Sequence, residues 1–296
     1  MKQKSLAGIS PLLFSPNRRF VVGRRVLALL CLLPLGLAHA GPLVISTPNA
    51  VISGVSVSNS SGNCITVTAP NVTITNSAIG PCEGVGVLFD NVAGGTVTNS
   101  AINNSSTGVY ALYSTGISVV GNICHNMHGP LPRGQCVQFN NVTGGGNRIT
   151  DNLSVTDSGT AGTTDAFNVY ESSGTCTDPI QVSRNVVSGG SSTSTGAGIV
   201  LGDTGGSYQT ADHNVLTNSG AVGLAIAGGT YITATNNIIT AVQAPNTNVG
   251  LYVWEQGNVP CSNITVSGNT TNWIDSLGVP NDYWNGGNCG TITGWP

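Results

Sequence analysis

The segment from Cys124 to Asn140 crowds His125, His128, Arg133, Gln138 and Asn140 together, and it holds two of the chain's four histidines. An imidazole can accept a proton near neutral pH, while arginine and planar amides can grip a carboxylate and stabilise enolate-like charge. On that chemistry His125 or His128 is the base, Arg133 with Gln138 or Asn140 the carboxylate clamp, and Tyr170 the proton donor. The reaction would be β-elimination from a uronic acid, or C5-epimerisation if the proton returns to the opposite face. Both lysines, Lys2 and Lys4, fall in the first four residues, so none competes for the role of base.

Carboxylates offer a second chemistry. Hydrolysis of a glycosidic bond needs two carboxyl groups about 5–5.5 Å apart (retaining) or about 6.5–9.5 Å apart (inverting). Glu171 and Asp203 are expected on adjacent strands, with backbones about 4.8 Å apart. Asp165 is roughly 20 Å from Glu171 along an extended strand and cannot be its partner. Glu171 and Asp203 are equally suited to holding Ca²⁺ through oxygen ligands, or to being two solvated acids. Gln138, Asn140, Asp165, Asn168, Glu171, Asp203, Tyr252 and Trp254 form the expected binding set, because amides and aromatic rings grip sugar hydroxyls and ring faces. The spacing of His125 and His128 suits metal ligands, but no third ligand of suitable type accompanies them, so no metal is assigned. A secreted binding or adhesin-like surface protein is the non-enzymatic alternative. Against it, the unusual residues are concentrated in two neighbouring repeats.

Repeats must position these residues. One column reads Ile117, Val119, Asn122; Ile180, Val182, Asn185; Ile232, Ala234, Asn237; Ile264, Val266, Asn269. Weaker copies carry Asn152 and Asn214, and Ser77 and Ser100 hold the position earlier, which makes about eight copies. A second column runs out of phase, with strands led by Gly86, Gly108, Cys136, Ala166, Gly198, Gly223 and Gly250. Alternating apolar and polar residues mark strands with one buried face, and Phe89, Phe139 and Phe167 read as core. Repeats of roughly 22–33 residues with two strand columns and almost no 3.6-residue period predict an all-β solenoid, a right-handed parallel β-helix of about eight coils. Its length would be about 38 Å. Residues 41 to about 50 are expected to cap one end and the segment after Trp273 the other.

The asparagine column has a structural cause. Asparagine tolerates a left-handed bend, and its amide carries both a donor and an acceptor, so stacked copies can continue the strand ladder through the turn. His213, beside Asn214, reads as structural or solvated. This pattern, over roughly residues 45–275, resembles the pectate lyase-like superfamily of β-helix proteins, which carry an inward asparagine ladder. The resemblance implies a carbohydrate-active protein acting on a polysaccharide, with the sugar lying across the Gly-led strands. It does not choose among lyase, hydrolase, epimerase, esterase and adhesin. The chain lacks the Asp-Pro-His-Asp motif of mannuronan epimerases and a clear calcium-and-arginine set of pectate lyases. Also missing are the Asn-Thr-Asp, Asp-Asp and Gly-His-Gly signatures of polygalacturonases.

Residues 1–40 read as a cleaved leader: Arg18, Arg19, Arg24 and Arg25, an apolar run over 26–37, then Ala38, His39 and Ala40. The expected destination is secreted or periplasmic. Arg18-Arg19 followed by Phe20 and two valines resembles a twin-arginine signal, although ordinary leaders carry arginines too. The apolar run is short for a membrane span, and no other segment resembles one. Without the leader, nine aspartates and three glutamates face only Arg133, Arg148 and Arg184, a net charge of roughly −9 that would repel nucleic acid. Seven cysteines then remain. The expected pairs are Cys64–Cys82, Cys124–Cys136 and Cys261–Cys289, leaving Cys176 as a buried free thiol.

Overall fold

A computed structural model describes residues 38–39, 41–130, 134–157, 164–190 and 193–296. The chain divides into Met1–Leu32 and Leu33–Pro296, and all the described residues belong to the second unit. That unit is a right-handed parallel β-helix. Among the described residues the Gly-led strands make a first sheet of ten, the Ile-x-Val strands a second of eleven, and the strands after the Asn position a third of ten. Among the described residues no helix is long and apolar enough to cross a membrane.

Period-2 alternation becomes inward columns. In the second sheet Val97, Val119, Ile149, Val182, Ala211, Ala234 and Val266 stand in register and are buried. In the first, Val87, Val109, Val137, Phe167, Ile199, Leu224 and Leu251 do the same. Side-chain volumes compensate across the interior. Gly95 occupies the register position of Ile117, and a Cβ there would lie 2.5 Å from the ring of buried Phe89. Close packing of this kind is felt at the level of a single methylene.

At the second corner Asn122, Asn152, Asn185, Asn214, Asn237 and Asn269 are joined in sequence. Each Oδ1 from Asn152 onward accepts both the backbone N–H and the Nδ2 of the preceding residue, at 2.8–3.1 Å. The left-handed backbone, however, falls on the residue before each of these. Gly121, Asp151, Arg184, His213, Asn236 and Gly268 all have φ between 54° and 69°. The bend residue turns the chain, and the asparagine after it is thereby aimed inward. His213 is therefore a bend residue, its Nδ1 2.6 Å from Asp212.

Both expected caps are instead coils. Leu43–Ile45 pairs with Ile65–Val67, and Val51–Ser53 pairs with Val72–Thr75. Beyond Trp273, Tyr283–Asn285 and Ile292–Thr293 extend the first and second sheets. The stack is thus longer than about eight coils, because its terminal turns carry no ladder residue. The disulfides Cys64–Cys82, Cys124–Cys136 and Cys261–Cys289 are all present. Cys176 is free but exposed, which corrects the expected burial: it lies in the loop before Ile180–Ser183, outside the inward columns. Protein lacking residues 1–40, and with them Cys31, should therefore react with one equivalent of Ellman's reagent without denaturant. A thiol that reacts only after unfolding would contradict this placement.

Candidate functional site

The outward face of the first sheet carries a register row of Tyr110, Gln138, Asn168, Val200, Ala225, Tyr252 and Trp284. Beside it run Leu112, Asn140, Tyr170 and Asp203. Pairing between Phe167–Tyr170 and Ala197–Asp203 slips by one residue after Asn168, so Asp203 stands opposite Tyr170. Gly202, at φ 64°, absorbs the extra residue. The expected Glu171–Asp203 column is thereby broken.

The slip produces a different carboxylate pair. Asn168 Nδ2 donates to Asp165 Oδ2 at 3.0 Å and to Asp203 Oδ2 at 2.8 Å. Two oxygens held by one nitrogen can be no farther apart than those two bonds laid end to end. Asp165 Oδ1 also accepts the Ala197 N–H at 3.0 Å. Asn168 is 3% exposed, and its own Oδ1 has no partner among the described residues. Burial pushes the Asp165 carboxyl up to about 7, with the nearby Asp203 charge adding to the shift and the Asn168 and Ala197 bonds opposing it. Burial also raises Asp203, helped by the charge of Glu171 and opposed by hydrogen bonds from Asn168 and Thr204.

These groups line a cavity of about 400 Å³ together with Gln135, Gln138, Asn140, Thr164, Tyr170 and Thr195. Asn140 donates to Tyr110 Oη at 2.9 Å, and Gln135 to Thr164 Oγ1 at 2.9 Å. Glu171 is an exposed bend residue with φ 46°, and its Oε2 accepts from Asn141 Nδ2 at 3.0 Å. A second depression, of about 500 Å³, shares Thr195 with the first and is walled by Tyr252, Trp254 and Trp284. Gln256 Nε2 donates to Tyr252 Oη. Burial raises the Tyr252 phenol above its usual range, and the charges of Asp165 and Asp203 add to the shift.

Other expected residues are not brought here. His125 ends the third-sheet strand Ile123–His125, with Nε2 2.9 Å from Asp157 Oδ2. His128 Nε2 is 3.1 Å from the Cys82 carbonyl. Neither lines either depression, since the loop that carries them leaves the third sheet before the chain returns to the first. Arg133 lies outside the described residues. Arg148 pairs with Asp178 at 2.6 Å and Arg184 with Asp151 at 2.8 Å. Among the described lining residues there is no cation. The calcium reading fits poorly, because Glu171 and Asp203 already accept from amide donors where a cation would need further oxygen ligands.

Gln135, Thr164, Thr195 and Trp284 were not expected in the site. Alternation through Tyr283–Asn285 is the signal that would have found Trp284, although no glycine leads that strand. The other three sit on loops, where a strand period gives no direction.

Sequence comparison matches the family described as the right handed beta helix region over residues 37–271. No curated protein matches the chain. Among solved structures, the Agl-KA catalytic domain superposes with a TM-score of 0.52 at 16% identity, covering 86% of this chain and 56% of that one. An alginate lyase from Paenibacillus sp. str. FPU-7 gives 0.48 at 14% identity, covering 85% and 80%. The Dettilon tailspike protein gives 0.49 at 14% identity, covering 80% and 55%. At such identities the likeness is one of fold.

Proposed function

The chain belongs to the right handed beta helix region family, and from that premise we propose that it hydrolyses glycosidic bonds in a polysaccharide. Asp165 is the general acid and Asp203 the nucleophile of a retaining mechanism, because their bridged oxygens lie no more than about 5.8 Å apart. One observation carries this reading: a single buried amide, Asn168, holds two carboxylates from successive coils at the floor of an open cavity. Asp165, raised to about 7, keeps its proton near neutrality and serves as the general acid toward the glycosidic oxygen. Asp203, less buried and hydrogen-bonded by Asn168 and Thr204, is the carboxylate nucleophile that attacks the anomeric carbon as Asp165 protonates the departing oxygen. Water activated by the deprotonated Asp165 then releases the sugar from Asp203. Gln138, Asn140 and Tyr170 line the same cavity and are placed to grip sugar hydroxyls.

Elimination from a uronate has less support. Its candidate bases, His125 and His128, stand away from the cavity, and the described lining offers no cation to hold a sugar carboxylate. The three disulfides and the leader-like residues 1–40 support export to an oxidising compartment.

The test is a polysaccharide panel assayed for new reducing ends and for unsaturated, ultraviolet-absorbing products. Reducing ends without ultraviolet absorbance are expected, and Asp203→Asn should lower kcat about 10²–10⁴-fold. Unsaturated products, or full activity in Asp203→Asn, would overturn the reading.

A further inference from the structure

The depression beside the carboxylate pair has no role in the acid–base chemistry, yet it is built with care. Trp254 and Trp284 meet edge to face at 5.6 Å and 76°, and Tyr252 meets Trp284 at 6.3 Å and 75°. Together they form a corner, not a sealed core. Trp254 is 40% and Trp284 44% exposed, whereas Trp273 is 0% exposed. Backbone makes room for the corner at Gly286, where a Cβ would lie 2.3 Å from Trp254 Cδ1 and 2.8 Å from its Cγ. Asn248 and Asn281 line the same depression, with Asn281 Nδ2 donating to the Asn248 carbonyl at 2.8 Å.

The chemistry of the lining selects its ligand. No Asp, Glu, Arg or His belongs to it among the described residues. Between the carboxylate pair and the corner, the outward row offers only Val200 and Ala225, both buried in a small apolar cluster. From Asn168 to Tyr252 is three strand spacings, about 14 Å. A polyanionic chain crossing that stretch would desolvate its carboxylates over aliphatic carbon and next to two acids, at a cost the described lining does not offset. A neutral sugar chain meets no such cost. Its C–H faces match the indole rings, and its hydroxyls match the amides.

We propose that the corner of Tyr252, Trp254 and Trp284 is a sugar-stacking subsite for an uncharged polysaccharide, whose chain runs across successive coils from the aromatic corner to the Asp165–Asp203 pair. This rests on the hydrolytic reading for its orientation and goes beyond it in naming the substrate class.

The experiment uses the full chain carrying Asp203→Asn, titrated by tryptophan fluorescence and calorimetry. The probes are neutral gluco-, manno- and galacto-hexasaccharides, with oligogalacturonate and oligoalginate hexamers as charged counterparts. At least one neutral hexamer should bind with a change in tryptophan emission, and every uronate hexamer should bind at least tenfold more weakly. Adding Trp254→Ala should weaken neutral binding tenfold or more. Gly286→Ala, which keeps every ring but displaces Trp254, should do so several-fold. Uronate binding as tight as neutral binding, no neutral binding at all, or neutral affinity unchanged in both aromatic-corner variants would each overturn the subsite. If affinity is unchanged while Asp203→Asn abolishes turnover, the hydrolytic reading stands and the subsite falls. If affinity is lost while Asp203→Asn leaves turnover intact, the subsite stands and the assignment of the carboxylate pair falls.

Discussion

Asp165→Asn is expected to lower kcat about 10²–10⁴-fold while making the folded protein more stable at pH 8. The sign follows from the proton balance. Asp165 sits at about 7 in the fold, against an ordinary value of 3.8. Between those limits the native state holds more protons than the unfolded chain, so stability falls as pH rises through the window. Above pH 7 the wild type carries the full penalty of an ionised, buried carboxylate, at most about 4 kcal/mol for a shift of this size. An asparagine has no charge to desolvate. It can still accept the Ala197 N–H, while its own amide nitrogen faces Asn168, whose unpartnered Oδ1 can turn toward it. Losing the Asn168–Asp203 bond in that rotation offsets about 1 kcal/mol. The variant should therefore match the wild type near pH 4 and exceed it by about 2–3 kcal/mol at pH 8, read from urea midpoints at both pH values. In the wild type, kcat should decline above about pH 7 as the acid loses its proton. A stability difference that does not change with pH, or a variant weaker at pH 8, would falsify the assignment.

Asn185→Leu is expected to be the most damaging single change in the scaffold. Asn185 Oδ1 accepts the Asn152 N–H and Asn152 Nδ2, and its Nδ2 donates to the Ile149 carbonyl and to Asn214 Oδ1. All of these groups are buried, and leucine makes none of the four bonds. Asn152 Nδ2 keeps the Val119 carbonyl and Asn214 Oδ1 keeps the backbone N–H of residue 185, but the Asn152 N–H loses its acceptor. At about 1–3 kcal/mol for the bare N–H and about 1 kcal/mol for each of the other lost bonds, the loss is roughly 4–6 kcal/mol, a large share of the stability of a typical domain. Asn185→Ser should cost only about 1–3 kcal/mol. Ser100 already works at this position, accepting the Ser77 N–H at 3.1 Å and donating to the Thr98 carbonyl at 3.0 Å. Because coils touch mainly their neighbours, raised hydrogen exchange should centre on the turns at Asn152 and Asn214. A Leu variant within about 1 kcal/mol of wild type by urea unfolding would show that the ladder bonds carry little net stability.

What could be read from sequence was whatever repeats. Ile117 and Val119 announce a strand with one buried face, and about eight copies of the pattern announce a stack; hence the sheets, the inward phenylalanines and the cysteine pairs could be foreseen. Single events could not. The one-residue slip at Gly202 leaves no mark on the alternation, yet it decides that Asp203 meets Asn168 and not Glu171. Asp165 precedes its strand, so its aim is set by the Ala197 N–H and the Asn168 amide, which belong to two different coils. His125 and His128 stand out in the sequence because their chemistry is suggestive, while His125 ends a third-sheet strand and His128 follows it, away from both depressions. The terminal coils escaped because they lack the residue that marks the others.

Since Asp165 and Asp203 come from successive coils, backbone hydrogen bonding across the sheet sets their separation, and the same bonding sets the distance to Tyr252. Reach along the face is therefore quantised. Duplicating or excising one whole coil between Val222–Ile226 and Val249–Val253 would move the aromatic wall by one step of about 4.8 Å while leaving the carboxylate pair untouched. Selectivity for chain length and cleavage chemistry would then be inherited separately, the first by counting turns and the second by keeping a single slipped register.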